Sequence, residues 1–491
     1  MITSYTTVQG HNDLKALIKK LLPLFFILFF AQALWTEETG DPKPAAPSAP
    51  PQKTKTIEEQ RLETLRFGTE TEIANLIQTL KNEKVSYLDK ELIEISQNTR
   101  NKNIVAGIFS FFGDTERTGL EERAIRAIRE RDDEANETVL AAVDYLGKVK
   151  AAQSVTCLQE LINSEENRFL NTAFRALGRA AKGQGDSKEN ADGNADSIAD
   201  STAAFLLDYY NNRNPSDDNR REIIIALGET GSKKGVSFLT DLIKNKDERA
   251  VLRIAALDAV SKIGDPECLD AIIEAVSSVD PNVRSSAIAA LGPFSGEAAE
   301  KAILEGFRDS YYRTRIGAAA AAGKRKLESA IPFLKYRAEN DDVPAVKDEA
   351  IKALGAINSS ESLTILGTLF SERKNSDRVR LLAADMLLRN NADTYSSKII
   401  VEMDEAKNKN QTALYNGFIR ILTIAKSGTL ENLARRFIAA GGVIEKSLAL
   451  DLVLNNEFRG LADEVRSLQD EKKYGASIAR KAKTTLEKLG L

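Results

Sequence analysis

Apolar residues recur at the spacing of one helical face through Cys268–Val276, and again through Arg284-Ser-Ser-Ala-Ile-Ala-Ala-Leu-Gly292. Between the two stripes, Asp280-Pro281 supplies an acidic cap followed by proline, the signature of a helix start. Gly292 suits a left-handed cap at the other end. The pair of stripes then repeats. An Ala-Leu-Gly segment or a close relative ends at Gly147, Gly178, Gly228, Ser261, Gly292, Gly323, Gly355 and Leu388. The spacing is about 31–33 residues, apart from one longer interval before Gly228. Weaker copies run through Leu422 and Leu454 to Gly490. No sustained period-two alternation bounded by hairpin turns interrupts them. A single helical hairpin cannot bury its own apolar face, so the pattern predicts an all-α stack, an α-solenoid of about 12 hairpins.

Eight positions before the last six of these marks stand Arg220, Arg253, Arg284, Arg315, Lys347 and Arg380. Asp247, Asp309 and Asp341 lie six residues before Arg253, Arg315 and Lys347, and Asp280 lies four before Arg284. This phase predicts a structural ladder of ion pairs in the inter-helix turns. Residues 251–276, with Arg253, Gly264, Asp265, Pro266 and Glu267 in place, resemble the short HEAT repeat of phycobilisome-lyase type. The likeness is strongest over 217–390 and extends more weakly over 57–491. The resemblance implies a right-handed superhelix with such a ladder. Tetratricopeptide repeats have a similar length, but their tryptophan, tyrosine and proline positions do not recur here.

The domain reading starts with a leader. Lys15, Lys19 and Lys20 precede the apolar run Leu21–Phe30 and the small-residue site Ala31-Gln-Ala33, which is the layout of a secretory signal peptide over 1–33. Residues 34–56 are a Pro/Ala-rich linker, 57–135 an irregular helical stretch, and 136–491 the repeat array with a polar insert at 183–200. Within the insert, Asp192, Asn194, Asp196 and Asp200 have the alternation of a calcium loop, but Ser197 and Ala203 occupy its glycine and twelfth-ligand positions. A flexible loop, open to a role in recognition, is the favoured reading, with no metal. Cys157 and Cys268 are separated by over three repeats and are read as buried hydrophobes. The apolar cluster Ile104, Val105, Ile108, Phe109, Phe111 and Phe112 is read as core or capping surface.

Composition narrows the chemistry. The chain carries 68 basic and 72 acidic residues, net −4, so no global field draws it to nucleic acid. The one histidine, His11, precedes the predicted cleavage site, leaving no imidazole for base catalysis or metal binding in the exported form. Bilin lyases and deoxyhypusine hydroxylase share the repeat type, but neither a chromophore-attachment motif nor His-Glu iron pairs accompany it here. One unit departs from balanced charge, with Tyr311, Tyr312, Arg313, Arg315, Lys324, Arg325, Lys326, Lys335, Tyr336 and Arg337 against Glu328 alone. Arginine beside tyrosine is the composition of interface anchors. An ordinary solvated helix face is the alternative.

These readings together describe a non-catalytic scaffold, without cofactor, that binds a protein or peptide on its concave face in the periplasm of a bacterium, tethered to the membrane if the leader is uncleaved. A structural part of an envelope or motility assembly is the second reading, and a lyase-like enzyme of the repeat family the third. The leader is checked by intact mass of the exported protein, expected to begin at Leu34; a chain still carrying Met1 would overturn it.

Overall fold

The computed structural model describes residues 55–83, 85–182 and 197–491. The leader, His11, the proline run and Asp192, Asn194 and Asp196 lie outside them. All regular structure among the described residues is helical. The amino-terminal stretch contains α1 (Ile57–Phe67), α2 (Glu70–Glu83), α3 (Asp89–Asn98), α4 (Lys102–Asp114) and α5 (Glu121–Arg129). Next come α6 (Asn136–Lys148), α7 (Val155–Asn163), α8 (Asn167–Lys182), α9 (Ile198–Asn212), α10 (Asp217–Thr230) and α11 (Val236–Lys244). The central units hold α12 (Ala250–Ile263), α13 (Leu269–Val276), α14 (Pro281–Ala290), α15 (Glu297–Gly306), α16 (Tyr312–Arg325), α17 (Ile331–Asn340) and α18 (Pro344–Ile357). The carboxy-terminal part adds α19 (Ser360–Ser371), α20 (Asp377–Asn408), α21 (Thr412–Ile424), α22 (Glu431–Ala440), α23 (Val443–Asn456), α24 (Ala462–Ser467), α25 (Glu471–Tyr474) and α26 (Ala476–Leu489).

Glu58–Leu491 forms one compact unit built by stacking. Each even-numbered helix from α4 to α18 packs on the even-numbered helices before and after it, and on the odd-numbered helix that precedes it. Contacts therefore join neighbouring units in order, as an α-solenoid requires. α20 bends at Asn391, whose backbone leaves the helical region (φ −158°, ψ 86°). Beyond the bend, α21, α23 and α26 continue the same row.

The phased glycines govern how closely that row packs. Gly147, Gly178, Gly228, Gly323 and Gly355 lie inside helices of the even row and do not cap them; the left-handed cap expected at Gly292 is likewise not formed. A Cβ at Gly147 would stand 2.6 Å from Ala176 Cα, one at Gly178 2.5 Å from the Ala226 carbonyl oxygen, and one at Gly228 2.5 Å from Ala259 Cα. Hydrogen in place of a methyl group is what lets the backbones of successive helices meet. The Lys324 side chain lies against Gly292. True left-handed caps fall elsewhere, as at Gly231 (φ 71°) and Gly264 (φ 70°).

Helices of the odd row touch one another far less. A stack whose layers approach more closely on one side bends toward that side, so the even row lines the concave face. The core runs continuously between the rows. Phe109, Phe111 and Phe112 are buried in it, with Phe109 packed on Tyr145 at 5.8 Å between ring centres. Cys157 and Cys268 are free and buried, and burial pushes the Cys268 thiol up to about 11.

Gly178→Ala and Gly228→Ala should each destabilise the chain by about 1–3 kcal/mol in urea denaturation, because backbone cannot move aside as a side chain can. Gly367→Ala, on α19 with no neighbouring atom within 4 Å of the added methyl, should stabilise by about 0.5–1 kcal/mol.

Candidate functional site

The phased basic residues begin the helices of the concave row and turn back into the stack. Arg315 is bidentate on Asp341, with Nε and Nη2 each 2.8 Å from a carboxylate oxygen. Arg284 Nε donates to Asp309 at 2.9 Å, Arg220 Nη2 to Glu248 at 2.8 Å, and Arg380 Nη2 to Glu402 at 2.6 Å. The acid comes from the unit that follows. Asp309 stands six residues before Arg315 yet bonds Arg284, and Asp341 stands six before Lys347 yet bonds Arg315. The sequence-based pairing of each acid with the basic residue just after it is corrected accordingly: a rung joins two units. Asp280 takes no rung; it caps α14 by accepting from the Asn282 and Val283 N–H groups. Among the described residues Lys347 reaches only the Glu339 carbonyl, at 2.8 Å. Arg123, on α5 of the odd row, makes a different link, within its own unit to Glu134 at 2.8 Å and back to the Ser96 carbonyl of α3 at 3.2 Å.

These rungs are buried enough to be structural. The Arg315 and Asp341 side chains are 8% and 0% exposed. Burial alone would raise the Asp341 carboxyl, but the hydrogen bonds from Arg315 and the Val343 N–H hold it below the ordinary carboxylate range. The same balance, with Arg284 and the Tyr311 N–H as donors, holds Asp309 down.

The unit singled out by its basic and tyrosine content divides in space. Tyr311, Tyr312 and Arg313 gather at the start of α16: the Tyr311 hydroxyl donates to Asn282 Oδ1 at 2.8 Å, and Arg313 Nε donates to the Tyr312 hydroxyl at 3.1 Å. Lys324, Arg325 and Lys326 stand at the other end of the helix, about 17 Å away at 1.5 Å rise per residue. Arg313, Lys324 and Lys326 are exposed, whereas Arg325 is half-buried with Nη1 unpartnered. Arg315 belongs to the ladder and presents no surface. Lys335, Tyr336 and Arg337 lie on α17, in the odd row, so they do not share the concave face.

Between the two ends of α16 the concave row exposes a strip that sequence reasoning missed. Ile225, Val251, Ile254, Ala289, Ile316 and Ala320 come to the surface of α10, α12, α14 and α16. A cavity of about 420 Å³ opens among the first four. Beyond α16 the row carries ion pairs, as between Arg378 and Asp348, and at the other end Glu222 of α10 pairs with Arg175 and with Arg221, which also lines the cavity. A partial signal was present: Ile225, Ala289 and Ala320 stand five places after the rung position and Ile254 and Ile316 one place after it, whereas Arg221 and Asp258 keep a charge at these positions. Arg313 and Lys324 flank the strip at one end, and Asp258, paired with Lys262 at 2.8 Å, interrupts it at the other.

A family model described as "Spirochaete HEAT repeat protein" matches residues 65–485. No curated protein matches the sequence. Among solved structures, Kap121p bound to Ste12p is 13% identical, covering 87% of this chain and 52% of Kap121p, with a TM-score of 0.39. Kap121p bound to Nup53p is 12% identical, covering 88% of this chain and 54% of Kap121p, with a TM-score of 0.39. Human deoxyhypusine hydroxylase in complex with glycerol is 18% identical, covering 63% of this chain and 99% of the hydroxylase, with a TM-score of 0.23. The chain spans about half the length of the Kap121p chains it matches.

Removing one side of a buried pair strands the other charge, so Arg315→Leu should cost about 3–5 kcal/mol in urea denaturation. Arg313→Ala, at an exposed site, should stay within about 0.5 kcal/mol. Because the folded Asp341 carboxyl lies below its unfolded value, its stabilisation is complete above about pH 5 and is lost as pH falls through the folded value. The stability gap between wild type and Asp341→Asn should therefore be constant from about pH 5 to 8 and shrink toward about pH 2.

Proposed function

Because the chain belongs to the spirochaete HEAT repeat proteins, and because its concave face carries a strip of exposed apolar residues across α10, α12, α14 and α16, we propose that it is a non-catalytic scaffold binding a partner protein there. The strip carries the reading. Val251, 40% exposed, Ala289 and Ala320 offer apolar area, and the two charges that line the cavity beside them, Arg221 and Asp258, are held in ion pairs with Glu222 and Lys262. Small side chains on α14 and α16 leave the groove open to backbone, which suits an extended segment of a partner. Arg313 against the Tyr312 ring, at 5.8 Å, and Lys324 at the far end supply polar contacts at the margin. We place this activity in a bacterial envelope: the basic, apolar and small-residue succession through Ala33 supports export, and the proline run supports reach from a surface.

The test is crosslinking capture from the native cell envelope with Val251→Asp/Ala320→Asp, compared with wild type and with Tyr336→Ala on the convex row. A partner held by wild type and by Tyr336→Ala, and reduced at least about tenfold by the double variant at unchanged melting temperature, is the expected result. Equal capture by the double variant would overturn the concave assignment. A parallel Arg313→Glu variant should lose less, as a marginal contact does.

A further inference from the structure

Among the described residues, two members of the ladder reach a carbonyl and no carboxylate, Lys347 and Arg253, and of the two only Arg253 is a guanidinium. Every arginine rung described above couples a guanidinium to a carboxylate, except at Arg253. There Nε donates to the Ile243 carbonyl at 3.0 Å, and Nη1 and Nη2 meet no hydrogen-bond partner among the described residues. Arg253 is nevertheless only 8% exposed. The repeat supplies its own control. Six residues ahead of the next rung residue, the neighbouring units carry Asp309 and Asp341, whose carboxylates close the rungs of Arg284 and Arg315. The corresponding residue after Arg253 is Ser278, and its neighbour is Val279, 96% exposed.

Where the acid is missing, space opens. A cavity of about 570 Å³ is bounded by Arg253, Ile243, Ser277, Ser278 and Val279. At the Arg380 rung, where Glu402 is in place, the matching cavity is about 80 Å³. The other charges around the larger cavity are already engaged or lie in solvent. Asp280 is held by two backbone N–H groups, and Lys246 faces Glu274 at 3.9 Å with its side chain 80% exposed. What remains is a nearly buried guanidinium with two free donor nitrogens, two serine hydroxyls, and an apolar wall.

We propose that this cavity is a second binding site, taking a carboxylate side chain presented by a peptide segment of a partner. The incoming carboxylate completes the rung as Asp341 completes that of Arg315, through the planar fork that guanidinium offers. Val279 gives the residue beside that carboxylate an apolar contact. The site lies at the edge of the stack, in the turn between α13 and α14, and it stands whether or not the concave strip binds.

The test uses the full chain and a fluorescein-labelled probe, Gly-Val-Glu-Val-Gly with blocked ends, beside its Gln counterpart, read by fluorescence anisotropy. Wild type should bind the Glu probe at least about tenfold more tightly than the Gln probe. Ser278→Asp supplies the missing carboxylate from within the chain, so it should melt no lower than wild type and lose that preference. Equal affinity for the two probes, absence of binding by both, or a preference that survives Ser278→Asp would each overturn the proposal. Free propionate that competes at the same concentration as the Glu probe would overturn the peptide origin and assign the site to a small carboxylate.

Discussion

Close approach of successive helices in one row is the constraint from which the rest of this molecule follows. Where Gly147, Gly178 and Gly228 face Ala176, Ala226 and Ala259, backbone meets backbone, and no larger residue fits between them. The opposite row has no such requirement and spreads. Unequal spacing bends the stack, and the bend decides which surface is concave. Side chains of the close row have two directions left to take: back into the stack, as the rung arginines do, or out into the groove.

The rungs deal with a problem that this packing creates. An arginine that starts a tightly packed helix is carried into the interior, where an unpaired guanidinium is costly. Its carboxylate arrives from the next unit, so each rung ties the stability of one unit to its neighbour, as expected of a quasi-one-dimensional fold. Internal repetition then makes exceptions conspicuous. Arg253 without an acid and the apolar positions Ile254, Ala289, Ile316 and Ala320 stand out because adjacent units show what the same positions hold elsewhere.

How much of this was legible depended on the range of the interaction. The helical hairpins and their period could be read because amphipathic spacing is a property of a few consecutive residues. The phase of the basic residues could be read too, together with the acids six places ahead of the next one. The partner could not: Asp309 is closer along the chain to Arg315 than to Arg284, and only the stacking shows that it bonds the latter. The basic run from Arg313 to Lys326 looked like one patch because linear density ignores the length of a helix. In three dimensions it became two ends of α16, with Arg315 withdrawn into the ladder.

That the chain is an all-helical repeat, with a unit of about 31–33 residues and its charged residues in register, could be read along the chain, because helical spacing is local and the recurrence of like residues needs no fold to be seen. Which helix face is concave, that the phased glycines are contacts, and which arginine lacks its acid are settled only by how one unit packs on the next. Each of those properties depends on an atom in the next unit, about thirty residues away along the chain. Its position is set by how two helices pack and not by any local pattern.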